Sequence, residues 1–205
     1  MKLIEGIKYE GKPFLIPDCS RDELPEFFKE MGYTVGAEIG SHKGIYTEKF
    51  CKVGLKMYAV DPWKAYTGSG RTSNDQTIQD AIYAEAKERL SPYDCTLIKR
   101  ESMDAVGGFR NESLDFVYID GDHNFRHIAE DLYEWSWKVR PGGIVSGHDY
   151  YHTPSFARNV VCHVGPIVDA YVKIYDIKNF YIFGTMKTKE RKNQDRYLSW
   201  MWIKP

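Results

Sequence analysis

Short apolar runs, most of them ending at an acid or a glycine and separated by stretches with helical spacing, constrain the fold of this chain more than any other feature. Thr34 to Ile39, Lys56 to Val60, Thr96 to Lys99, Leu114 to Ile119 and Ile144-Val145-Ser146 read as strands. Between them, Ile45 to Lys52, Thr77 to Leu90 and Phe125 to Val139 read as helices; Ile128, Leu132 and Trp135 fall on one face of the last. Pro141-Gly142-Gly143 is expected to interrupt the chain before the fifth strand, and a short helix is expected near Pro166. Phe180 to Phe183 and Ser199 to Ile203 add two late strands. Strand and helix in alternation predict an α/β fold with a seven-stranded, mostly parallel sheet and helices on both faces.

The 205 residues show no repeat and no linker between two cores, so a single domain over 1–205 is expected. Residues 1–32 read as a lead-in carrying one helix, with Leu24, Phe27, Phe28 and Met31 on its apolar side. Residues 64–93, including the polar run Thr67 to Asn74, read as a lid or insert. A net charge of −1 gives no support to nucleic acid or an anionic membrane as partner, and the basic stretch Lys187 to Arg196 reads as a solvated loop. Cys19, Cys51, Cys95 and Cys162 lack the spacing of a zinc or redox motif. Charge soon follows Met1 and no apolar run has membrane length, so a cytoplasmic protein with reduced thiols is expected. A homo-oligomer is left open.

A mostly parallel sheet binds its ligand beyond the carboxyl ends of its strands. The chemistry-bearing residues of this sequence fall there: Glu38 to Gly40, Asp61, Glu101-Ser102, Asp120 to His123 and His148-Asp149-Tyr150. Glu38 to Gly44 has the form E-x-G-x-x-x-G, with Gly40 suited to a tight turn and Gly44 to close approach of the next helix. This is not the spacing that cradles a dinucleotide pyrophosphate, and Glu38 would repel one. A carboxylate there suits a cation, such as a sulfonium carrying an amino group. Asp61, 21 residues after Gly40, can accept both hydroxyl protons of an adenosine ribose.

From Thr34 to Asp149 the sequence resembles the class I S-adenosylmethionine-dependent methyltransferases, and the two late strands match that family's closing hairpin. The resemblance implies a Rossmann-like sheet with a C-terminal antiparallel strand, and S-adenosylmethionine as cofactor. It places Glu38, Gly40 and Gly44 against the methionine part, Asp61 on the ribose and Ser102 near the adenine, with Asp120 also facing the cofactor. Ser102 also reads as a helix N-cap.

Asp120 and Asp149 end neighbouring strands, and paired carboxylates repel unless a proton or a cation lies between them. Oxygen donors favour Mg²⁺, Ca²⁺ or Mn²⁺, and the nearby histidines keep iron or zinc open. Tyr118 to His123, Pro141-Gly142-Gly143 and Gly147 to Tyr150 look like the catechol and macrolide-sugar O-methyltransferases, which use a divalent metal. The resemblance implies Asp120 and Asp149 as ligands. The third ligand position falls on Tyr150, leaving His148, Asp122 or His123 to substitute. It also places His123 where that subgroup has a basic Lys that takes the acceptor's proton. Packing against the following helix is the other reading of His123, and a structural hydrogen bond the other reading of His148.

The implied reaction is methyl transfer to a small-molecule acceptor, a sugar or phenol hydroxyl. Tyr66, Arg71, Tyr150 and Tyr151 are the expected lid contacts. The competing classes are a nicotinamide-dependent oxidoreductase and a non-catalytic module that binds an adenosine ligand.

Overall fold

The computed structural model describes residues 1–65, 75–151, 162–184 and 197–205. Among these residues eight strands form one sheet: β1 (Gly11–Leu15), β2 (Val35–Ile39), β3 (Lys56–Asp61), β4 (Cys95–Lys99), β5 (Leu114–Ile119), β6 (Val139–Tyr150), β7 (Asn179–Phe183) and β8 (Leu198–Ile203). Their order across the sheet is β1-β7-β8-β6-β5-β2-β3-β4. β8 runs antiparallel to β6 and β7, and the other pairings are parallel. The chain moves outward from β2 through β3 to β4, then returns to β5 on the other side of β2. The strand order therefore reverses between β2 and β5, where an open α/β sheet leaves a crevice at its carboxyl edge.

β5 explains why the sheet sits where it does. All six of its residues are buried, as expected for a central parallel strand covered on both faces. Phe116 and Tyr118 point into one core with Phe28, Phe50 and Met201; Val117 and Ile119 point into the other with Ile128, Leu132 and Trp135. Each such side chain contributes about 1.5–3 kcal/mol on burial. Among the described residues seven α-helices accompany the sheet: α1 (Leu3–Gly6), α2 (Leu24–Glu30), α3 (Ile45–Lys52), α4 (Gln76–Leu90), α5 (Ser102–Val106), α6 (Phe125–Lys138) and α7 (Val164–Ile174). Asp75 caps α4 by accepting the Thr77 amide at 2.8 Å, and Asn124 caps α6 by accepting that of His127 at 3.1 Å. No helix among the described residues is long and apolar enough to cross a membrane.

The structure departs from the sequence reading in three places. The lead-in is more than one helix: it contributes α1 and an eighth strand, β1, which pairs with β7 from Gly11↔Asn179 to Leu15↔Ile182. β1 contains Pro13, which an edge strand tolerates because one side of it needs no ladder partner. The one helix expected along Leu24, Phe27, Phe28 and Met31 is divided into a 3₁₀ turn, Arg21–Glu23, and α2. Pro141-Gly142-Gly143 does not end an element, because β6 runs through it with an irregularity of register against β5. Of residues 64–93, the stretch 76–90 is α4, the crossover helix between β3 and β4, and 66–74, with Tyr66 and Arg71, lie outside the described residues. The basic stretch Lys187 to Arg196 lies outside them too.

Candidate functional site

The turn after β2 forms the floor of the crevice. Gly40 has φ +90°, and a Cβ there would lie 2.3 Å from the Asp120 carbonyl oxygen. Only glycine lets the β2 and β5 loops approach this closely. The Asp120 amide donates to the Ile39 carbonyl at 2.8 Å, and the Gly40 amide to that of Val60 at 2.8 Å. Gly44, at φ +70°, caps α3, and a Cβ there would meet Leu90 Cδ1 of α4 at 2.8 Å.

Glu38 points out of β2 beneath this turn with 2 % exposure. Its partner is the Thr47 hydroxyl from the first turns of α3, which donates to Oε2. Burial pushes its pKa up to about 8; the Thr47 hydrogen bond and the Arg21 charge oppose that, and the charges of Asp120 and Asp61 add to it. Among the described residues no ion pair reaches Glu38, and a buried acid of this kind is suited to an incoming cation.

Asp61 closes the neighbouring strand end. Its Oδ2 accepts the His42 amide at 2.9 Å and its Oδ1 the Trp63 amide at 2.8 Å, so one carboxylate ties the β2 and β3 loops together. The Trp63 indole returns a hydrogen bond to the His42 carbonyl at 2.8 Å. Both His42 and Trp63 hold positive φ, 48° and 42°, backbone strain of a kind found at binding sites. Each Asp61 oxygen still has lone-pair capacity for a ribose hydroxyl.

Across the reversal point, Asp120, His123 and Asp149 converge, with one ligand atom from each lying within 4.8 Å of the others. His123 Nε2 stands 3.1 Å from Asp149 Oδ2 and 3.7 Å from Asp120 Oδ1. Burial pulls the His123 pKa down, but the contact with Asp120 and the charges of Asp149, Asp120 and Asp122 outweigh it and leave the imidazole more basic than usual. Burial pushes the Asp149 carboxyl up, and the hydrogen bond and charge of His148, with the charges of His123 and Arg21, bring it below its ordinary value. Asp149 itself sits at φ +54°. His148 Nδ1 lies 3.5 Å from Asp149 Oδ1 and 4.0 Å from Asp120 Oδ1, a flank of the cluster rather than its centre. Its buried Nε2 has no hydrogen-bond partner among the described residues, and its carbonyl accepts the Trp200 indole at 3.1 Å.

Other expected residues are placed elsewhere. Asp122 turns toward α6, accepting the Asn124 amide at 3.0 Å and facing His127 Nδ1 at 2.9 Å. Tyr150 packs into the core, and its hydroxyl donates to Asp169 at 2.6 Å, so it fills neither a ligand position nor a lid. Tyr151 is exposed, against the ring of Tyr197. Ser102 is the first residue of α5 and Glu101 its N-cap; the Ser102 hydroxyl donates to Asp131 and accepts the Trp135 indole at 2.8 Å. That hydroxyl anchors α5 to α6.

Sequence reasoning missed Arg21, Thr47 and Tyr118. Arg21 reaches in from the 3₁₀ turn of the lead-in, its Nη1 3.3 Å from Asp120 Oδ2 and 3.5 Å from the Tyr118 hydroxyl. Thr47 lies one turn into α3 on the strand side, a spacing from Glu38 that periodicity would have revealed. Nothing in the sequence signals Arg21, because its contact spans the chain from lead-in to β5.

A sheet with this order and this antiparallel strand, carrying its acids at the carboxyl edge, is that of the class I methyltransferases. Residues 37–150 match the family of methyltransferase domains, and the chain belongs to that family. The O-methyltransferase of Bacillus cereus, solved with S-adenosylhomocysteine, shares the fold with a TM-score of 0.60 at 18% identity, over 91% of this chain and 83% of that one. TomG of Streptomyces achromogenes, an O-methyltransferase of tomaymycin synthesis solved with S-adenosylmethionine, does so with a TM-score of 0.61 at 12% identity, over 90% and 79%. The uncharacterized protein y4gI of Sinorhizobium fredii (strain NBRC 101917 / NGR234) is 23% identical over 118 residues, 55% of this chain. The match spans only 12% of that curated relative's length. Family membership removes the support for a nicotinamide-dependent oxidoreductase.

Proposed function

We propose that this chain, acting as one domain over residues 1–205, transfers a methyl group from S-adenosylmethionine to a hydroxyl of a small acceptor of the sugar or phenol class. The observation that carries the reading is the buried Glu38 carboxyl beside the Gly40 turn, with Asp61 at the next strand end. Bound S-adenosylmethionine supplies an electrophilic methyl on a sulfonium leaving group. Glu38 and Asp120 receive its ammonium, and Asp61 accepts from its ribose hydroxyls. Gly40 leaves room for the chain of the methionine part, and Ser102 fixes the start of α5 beside the adenine. His123 takes the acceptor's proton, and Asp149 and Asp120 stabilise the imidazolium that results. Most of the acceleration comes from alignment.

Two carboxylates and an imidazole are a donor set that fits Mg²⁺ or another divalent cation. Asp120 and Asp149, with His148 or His123, would hold it, and its charge would lower the pKa of an acceptor hydroxyl. His123 serves as ligand or as base, not both.

Calorimetric titration tests the reading. S-adenosylhomocysteine is expected to bind in a one-to-one complex, weakened by Asp61→Ala, while NAD gives no heat. Binding of NAD in preference to S-adenosylhomocysteine overturns it. S-adenosylhomocysteine binding without turnover across sugar and phenol panels favours a non-catalytic module instead.

A further inference from the structure

The two strand-end carboxylates already have a permanent cation. Arg21 Nη1 stands 3.3 Å from Asp120 Oδ2, and both side chains are largely withdrawn from solvent, at 29% and 22% exposure. His123 and His148 also face the cluster, but each is charged only when protonated. The guanidinium is charged at every pH of interest.

Neighbouring elements hold Arg21 in place. The Ser20 capping box fixes its turn: Ser20 Oγ accepts the Asp22 amide at 3.2 Å, and Glu23 Oε1 accepts the Ser20 amide at 3.1 Å. Lys49 of α3 holds Asp22 at 2.5 Å. The Tyr46 hydroxyl donates to the Arg21 carbonyl at 2.6 Å. The guanidinium lies over the Tyr46 ring, 4.9 Å from its centroid. Tyr46 and Tyr118 are themselves buried and in ring contact at 4.6 Å. The arginine is therefore preorganised by the lead-in, and its head group meets Asp120 at Oδ2, whereas His123 and His148 face Oδ1.

Resting on the methyltransferase reading above, we infer that Arg21 is the resident counter-cation of Asp120, a positioning residue that occupies the charge position a divalent ion would otherwise take. A divalent ion needs Asp120 oxygen, and a guanidinium 3.3 Å from Asp120 Oδ2 repels a second cation brought to the same carboxylate. Arg21 therefore weakens the binding of such an ion to this chain. Without one, the guanidinium holds the Asp120 side chain in place beside the donor site. The lead-in thereby completes the site, which the strand ends alone leave short of positive charge.

The test is Mn²⁺ binding to the full chain, read by electron paramagnetic resonance of free Mn²⁺ and by calorimetry, with no dependence on turnover. Arg21→Met and Arg21→Gln are expected to bind Mn²⁺ at least about tenfold more tightly than wild type, because a partly buried carboxylate is left without its partner. Arg21→Lys, which keeps the charge, is expected to stay within about threefold of wild type. Adding Asp120→Asn to Arg21→Met is expected to abolish the gain. A merely structural arginine predicts unchanged or weaker Mn²⁺ binding in these variants, and that result overturns the inference. So does a gain that survives Asp120→Asn. S-adenosylhomocysteine titrated into the same samples reports the donor pocket separately: wild type that binds it while Mn²⁺ affinity ignores Arg21 refutes the counter-cation alone.

Discussion

Replacing Glu38 by glutamine tests whether the buried acid awaits a cation. Burial raises this carboxyl from its ordinary 4.5 to about 8. Ionising it inside the fold therefore costs on the order of 5 kcal/mol more than ionising it in the unfolded chain. The sign follows from proton counting. Between about pH 4.5 and 8 the unfolded chain has released this proton and the folded one retains it, so Glu38 makes stability fall as pH rises through that window and level off above it. The amide of Glu38→Gln has no proton to lose. Relative to wild type, the variant is expected to gain stability from about pH 5 to about pH 9 by up to that amount, as read by urea melts at each pH. Donor binding reverses the balance, because an ammonium beside Glu38 favours the carboxylate. Near pH 7 wild type is expected to expel about one proton on binding S-adenosylhomocysteine, measured as a dependence of calorimetric heat on buffer ionisation enthalpy. Its affinity is expected to rise up to about tenfold per pH unit below pH 8. The Glu38→Gln variant is expected to expel none and to bind more weakly. Wild type that releases no proton and binds with pH-independent affinity would refute the reasoning.

Three further outcomes are expected. His123→Asn is expected to lower turnover by about 10²- to 10⁴-fold with S-adenosylhomocysteine affinity unchanged; equal losses in both would assign His123 a packing role instead. Gly40→Ala forces a side chain into φ +90° and against the Asp120 carbonyl at 2.3 Å, so donor binding is expected to vanish and stability to drop by about 1–3 kcal/mol, checked by calorimetry and thermal melts. At Asp115, burial pushes the carboxyl up, but the Thr34 amide, Arg140, the Val35 amide and the Thr34 hydroxyl together bring it below its ordinary value. Its stabilisation is present above pH 3.8 and lost as pH falls through the lowered value. Asp115→Asn is accordingly expected to cost about 2 kcal/mol near neutrality, with the gap to wild type closing in acid, as read by urea melts at each pH.

The parts of the fold legible in the sequence are those whose burial writes a period into it. β5 is apolar but for Asp115 because both its faces are covered, and α6 shows its stripe because only one face is. β1 left no such trace: Gly11-Lys12-Pro13-Phe14-Leu15 is an edge strand with mixed exposure, and its identity as a strand comes from β7. The strand-end residues were legible as a group, since parallel strands in register bring their carboxyl ends to one edge whatever lies between them. What each side chain does there was less so. Asp122 lies two residues from Asp120 yet faces the other way, because the turn into α6 claims it for a helix start. Arg21 depends on a contact across 99 residues, which no local pattern records.

The pairing of β1 with β7 sets an order of events during synthesis. β1 emerges long before β7 and has no strand to join until Asn179 to Ile182 have followed. Asp120 and its neighbours are by then already made. The contacts of Arg21 with Tyr46, Tyr118 and Asp120 need no later strand, so the site's charges meet while the far edge of the sheet is still open.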